Sequence, residues 1–139
     1  MSTLTASVVP ATSVLTVMLL DTDGTLDHDG VVVTAGNVPT EAIRDALGPS
    51  TFQPILHGTV DDWQVWGDGD AELMDLPFNP LGSALLCQST GNPLPLRGRL
   101  VFVTTDEQGV FSAHTIEQAR ELGRSIHDLA RVREALTTH

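Results

Sequence analysis

VLTVMLLDTDGTLDHDGVVVT, residues 14–34, decides the fold. Residues 14–20 are an apolar, partly β-branched run of strand length that stops at Asp21-Thr22-Asp23-Gly24. A run of that kind bounded by turn residues reads as a strand. Asp-Gly at its end signals a hairpin, because glycine accepts the positive φ that the turn requires. The return strand falls at residues 25–27 or, past His28-Asp29-Gly30, at residues 31–34. A strand that turns straight back on itself opens an antiparallel sheet rather than a βαβ unit.

Upstream, residues 1–12 read as a loose Ser/Thr-rich leader, with a single domain over residues 13–139. No Lys or Arg precedes the apolar run ending at Leu20, so the positive region of a signal peptide is missing. No stretch approaches the roughly 20 apolar residues of a membrane span, and a cytoplasmic location is expected.

Downstream, Pro39-Thr40-Glu41 opens a short helix over residues 41–47, stopped by Gly48-Pro49. Residues 52–57 and 62–66 read as strands joined around Gly58. Asn79 as cap and Pro80 at the first helical position start a second short helix that Gly91 to Pro95 breaks. Residues 100–104 are the clearest strand, turned by Asp106 to Gly109. Thr115 and Gln118 have the form of a capping box. The helix it opens carries Ile116, Ala119, Leu122, Ile126, Leu129, Val132 and Leu136 at helical spacing. Gly123, about 1 kcal/mol worse than Ala in a helix interior, is its weak point. The order predicts an α+β domain: a mainly antiparallel sheet with two short helices and a longer C-terminal helix.

Composition excludes several activities. Among 139 residues, seven basic side chains oppose eighteen acidic ones for a formal net charge of -11, and all seven are Arg. Direct nucleic-acid binding needs a basic patch, and docking on anionic lipid needs the same, so neither fits. The single Cys87 rules out an internal disulfide and a cysteine-rich zinc site. His28, His57, His114, His127 and His139 show no metal-ligand spacing, so no metal centre is expected. The acidic run from Asp21 to Asp29 fails as an EF-hand, with Leu26 where glycine belongs and Val32 where glutamate belongs.

The VMLLDTDGT segment resembles the first motif of the haloacid dehalogenase-like phosphatases. That resemblance implies Asp21 as nucleophile, Asp23 as general acid/base, Mg²⁺ between carboxylates and phosphate, and Thr104 or Thr105 on the phosphate. The family's lysine has no counterpart here, because the chain contains none. The other reading of the same residues is an acidic hairpin turn without catalysis or cofactor.

A longer likeness runs over residues 14–125. WGDGDAELMDLPFNPLGSALL followed by LRGRLVFVTTDEQG resembles the domain of unknown function 3846 family of small actinobacterial phage and plasmid proteins. Leu76, Pro77, Asn79, Gly82 and Leu85 carry it, with Gly98 and residues 100–103, while Arg99 stands where an acidic residue is expected. It implies a phage or mobile-element origin, makes DTDGT an ordinary first hairpin, and implies no activity.

Charge carries the remaining signal. Asp61, Asp62, Asp68, Asp70, Glu72 and Asp75 crowd one segment around Trp63 and Trp66. On a strand the two tryptophans point to opposite faces, which puts at most one in the core and leaves the other as an interface anchor. The functional expectation is a non-enzymatic phage or mobile-element accessory protein that binds a host macromolecule, a basic or DNA-binding protein among them, through Asp61, Asp62, Trp63, Trp66, Asp68, Asp70 and Glu72. It would act as an inhibitor, in one form as a DNA mimic. The alternatives are the Mg²⁺-dependent phosphatase of Asp21, Asp23 and Thr104, and a structural homodimer joined through a strand edge or the last helix.

Overall fold

Strand β1 (Thr12–Leu20) and strand β2 (Leu26–Thr34) form the expected hairpin, in unbroken register from Thr12↔Thr34 to Leu20↔Leu26. The structure, a computed structural model, describes residues 12–34, 52–60, 62–91, 95–105 and 111–137. The two candidate return strands are one strand, because His28, Asp29 and Gly30 keep pairing with Met18, Val17 and Thr16. The short helix expected over residues 41–47 and the turn at 106–109 lie outside the described residues, as do residues 1–11 of the leader expected over 1–12; its last residue, Thr12, is already in β1.

Strands β3 (Phe52–Val60) and β4 (Trp63–Asp68) make a second antiparallel pair with an irregularity between Pro54 and Thr59. Strand β3 runs through Gly58, so the reversal comes later than the glycine suggested. Helix α1 (Pro80–Thr90) follows, then strand β5 (Leu100–Thr105), the two-residue strand β6 (Phe111–Ser112) and helix α2 (Ile116–Thr137). The six strands form one antiparallel sheet in the order β2-β1-β5-β4-β3, with β6 also on β5. Strand β5 is central: β1 pairs with Leu100–Phe102 through Met18–Leu20, and β6 pairs with Thr104 and Thr105 beyond.

Both faces of the central strands β1, β5 and β4 are buried over most of their length. Met18, Leu20, Trp63, Val65, Leu100 and Phe102 pack with Leu81, Leu85 and Leu86 of α1 and Leu122 and Ile126 of α2. On the opposite face Leu15, Val17, Leu19, Val31, Trp66, Val101 and Val103 form a second cluster, with no residue from either described helix. A strand buried on both faces has no polar side to alternate, and LVFV and VMLL are therefore continuous apolar runs. Trp63 and Trp66 do point to opposite faces, but both are buried, with Trp66 at 0% exposure. The expectation that only one is in the core fails because the sheet has two cores.

Capping chemistry fixes both described helices. Asn79 accepts the Gly82 N–H at 3.0 Å, and Gly91 closes α1 in the left-handed region at φ 78, its N–H donating to Cys87 at 2.8 Å. At α2 the Thr115 N–H donates to Gln118 and the Gln118 N–H donates back to the Thr115 hydroxyl. Helix α2 runs through Gly123 without a break, where an added Cβ would come only within 3.8 Å of Leu26. Ile116 and Val132, counted in the apolar stripe, are instead exposed near the two ends of the helix. Among the described residues no helix is long and apolar enough to cross a membrane.

Candidate functional site

Asp21 to Thr25 form the turn of the first hairpin. The Asp21 N–H donates to Thr25 O at 2.9 Å, the Gly24 N–H to Asp21 O at 3.1 Å, and Gly24 takes φ 91. Both carboxylates serve this turn: Asp21 accepts from the Thr22 N–H at 3.1 Å and Asp23 from the Thr25 N–H at 2.9 Å. The Thr25 backbone and hydroxyl hold the exposed Asp23 carboxyl below its ordinary value.

Thr104, the phosphate ligand of the phosphatase reading, is far from this turn. Leu20 pairs with Leu100 in antiparallel fashion, so the end of β1 meets the start of β5. Thr104 is four residues further along β5 than Leu100, roughly 13 Å at about 3.3 Å per residue. It is buried, and its hydroxyl donates to Ser112 O at 2.8 Å. The antiparallel register therefore separates the groups that the phosphatase reading needs together.

The acidic segment is divided in the same way. Asp62 precedes β4, where Gln118 of α2 donates to its carboxylate at 3.4 Å; Asp61 lies outside the described residues. Asp68 ends β4 at the other end of the sheet, and Asp70, Glu72 and Asp75 follow it. Trp66 pairs with Val101 and Leu20 with Leu100, so this is the end that carries the Asp21–Thr25 turn. The Asp21–Thr25 turn and residues 68–75 thus share one end of the sheet, and Asp62 lies at the other. Trp63 and Trp66 cannot serve as exposed anchors: Trp63 packs against Phe102 and His114, and Trp66 against Phe111.

Different residues take the anchor position. After β4 the chain makes two successive turns, in which the Ala71 N–H donates to Asp68 O at 3.1 Å and the Met74 N–H to Asp70 O at 2.9 Å. These turns lift Leu73 to 87% and Met74 to 62% exposure, and Phe78 beyond them is 49% exposed. Asp75 sits at φ 51 and meets Arg97 at 3.4 Å; Arg97 also donates to Leu76 O at 2.9 Å. Beside them a depression of about 420 Å³ has Ile55, Leu96 and Leu100 as apolar lining and Asp68, Glu72 and Arg97 as charged lining. Leu73 and Met74 stand in the sequence as two apolar residues between Glu72 and Asp75, and nothing in that pattern separates an exposed pair from a buried one.

The structure also unites residues that no spacing connects. His28 of β2 and His114, which follows β6, line one groove with Thr16, Met18 and the first turns of α2. Among the described residues no group of three or more His, Cys, Asp or Glu is placed to hold a metal ion. Cys87 is half-buried on α1. The chain matches no protein-family model, no curated protein and no solved structure, so likeness to the domain of unknown function 3846 family rests on its short motifs alone.

Proposed function

We propose that this chain is a non-enzymatic recognition module whose acidic end binds a basic protein surface. The carrying observation is the exposed pair Leu73 and Met74, framed by the carboxylates of Asp70, Glu72 and Asp75. Apolar side chains held out in water by a turn anchor an interface, while surrounding charge of one sign steers and selects the partner. The depression lined by Asp68 and Glu72, with Arg97 as the one cation among its described lining residues, offers apolar wall to the aliphatic stem and two carboxylates to the charged head of an arginine or lysine from that partner. A net charge of -11 strengthens attraction over distance. The phage or plasmid origin implied by the sequence resemblance agrees with an accessory protein that occupies a host factor. DNA mimicry is the specific form in which the bound surface is one that otherwise holds DNA phosphates.

Immobilised protein, exposed to an actinobacterial lysate at graded salt, tests this reading, with duplex DNA added as competitor. Captured protein should be released steeply with rising salt and displaced by DNA. Leu73→Ser with Met74→Ser should abolish capture, and Asp70→Asn with Glu72→Gln should weaken it at low salt. Capture that ignores salt and survives both pairs of substitutions would overturn the proposal. Capture that is salt-sensitive but indifferent to DNA would retain the basic partner and remove the mimicry.

A further inference from the structure

We propose that the groove between the β1–β2 hairpin and the first turns of α2 binds a small amphipathic organic anion, a carboxylate on a short apolar body. The groove has a volume of about 480 Å³, within the range of small-molecule sites. Met18 of β1 and Ala119 of α2 line it with apolar surface, and Ile116, 74% exposed, stands at its wall. Its charged and titratable groups come from three elements: His28 from β2, His114 from the segment after β6, and Arg120 from α2. From β1 it receives Thr16 and Met18, and among the described residues no carboxylate lines it. In a chain of net charge -11, a groove whose described lining holds one fixed cation, two imidazoles and no acid favours an anion.

His114 adds an independent observation. Its ring leans on Trp63 at 5.0 Å between centroids, and its Nδ1 is buried without a hydrogen-bond partner. Buried polar atoms are nearly always satisfied, so this ring is an exception within the fold, and it stands on the wall of the groove. Burial and the neighbouring His28 both disfavour charge on His114, while the Thr16 backbone favours it. A carboxylate in the groove would offset the repulsion between the two rings and pair with Arg120. Ile116 and Met18 would cover its hydrocarbon. A metal ion fits less well, since the described lining offers two imidazoles and no carboxylate to complete a set.

The test uses the full chain and three probes: hexanoate, its neutral isostere hexanamide, and acetate. Binding is read from the NMR signals of the His28 and His114 rings. Hexanoate should shift both sets saturably and bind about tenfold or more tighter than either hexanamide or acetate. Arg120→Gln, an exposed position whose loss leaves the core intact, should weaken hexanoate about tenfold without changing the unfolding midpoint. Ile116→Ser should weaken hexanoate and leave acetate unchanged. Equal affinity for hexanoate and hexanamide would overturn the anion, and equal affinity for hexanoate and acetate would overturn the apolar body. Ring signals that stay still up to about 10 mM hexanoate, a free energy under roughly 3 kcal/mol, would overturn the site altogether.

Discussion

The side-chain amide of Asn79 donates to the backbone carbonyl of Leu20, 59 positions earlier in the chain, at 3.2 Å, and to that of Gly98 at 2.9 Å. Its oxygen meanwhile caps α1 by accepting the Gly82 N–H. Asn79 is fully buried. One side chain therefore starts a helix and ties that start to the end of β1 and to the approach to β5. It is more than the cap its sequence context accounts for.

Asn79→Asp separates the two roles. Aspartate is as good a cap as asparagine, so capping alone predicts no loss. Its carboxylate cannot donate to Leu20 and Gly98, and it would leave two buried carbonyls facing an acceptor. The expected loss is about 3 kcal/mol, measured by urea denaturation. A loss no greater than about 0.5 kcal/mol would show that the cross-links are immaterial.

Two glycines in helices should respond to alanine with opposite signs. At Gly82 an added Cβ would run into Leu100 Cδ1, whose side chain is buried, and would approach Asn79 within 3.0 Å. Gly82→Ala should destabilise by about 1–3 kcal/mol despite the better helix propensity of alanine. At Gly123 the nearest atom is Leu26 Cδ2 at 3.8 Å, an ordinary contact. Gly123→Ala should stabilise by about 0.5–1 kcal/mol. Thermal unfolding of the two variants checks both signs.

Both tryptophans should report burial. Trp63 at 4% and Trp66 at 0% exposure predict blue-shifted emission and little quenching by acrylamide until the chain unfolds. Either residue changed to Ala should cost about 3–5 kcal/mol, because each fills one of the two apolar layers. Strong quenching of the folded protein would contradict the two-sided core.

His114 makes stability depend on pH. Burial is the largest cause holding its folded-state value below the ordinary 6.5, so the unfolded chain binds a proton that the folded chain resists. Stability should therefore fall as pH drops through 6.5 towards the lowered folded value, and His114→Phe should flatten that part of the profile. Asp23, whose folded value lies below 3.8, acts in a separate window, with its contribution present above 3.8 and lost in stronger acid. Denaturation midpoints between about pH 7.5 and about pH 5.5 isolate the histidine.

Much of the fold is legible along the chain because its signals are local. Asp21 to Thr25 set the first hairpin by glycine geometry and side-chain-to-backbone bonds, and they do so within five residues. Asn79-Pro80, Gly91 and the Thr115–Gln118 box mark helix ends by satisfying nearby backbone groups. Strand β6 escapes notice, since two residues are too few to carry a period.

The candidate site is far less legible, for a physical reason. Period and turn chemistry fix which face a side chain takes on its own strand, and so Trp63 and Trp66 are correctly set on opposite faces. Only the tertiary structure covers both faces, which buries the two tryptophans and leaves Leu73 and Met74 outside. The antiparallel order β1-β5-β4 likewise brings Asp21 and Asp23 to the end that holds Asp68 to Asp75, sends Asp62 and Thr104 to the other, and joins His28 to His114 in one groove. By itself the sequence determined the net charge, the hairpin, the helix ends and the α+β class, because these depend on neighbours along the chain. The meeting of side chains from distant segments depends on strand pairing, and that is decided by which apolar faces can be buried together.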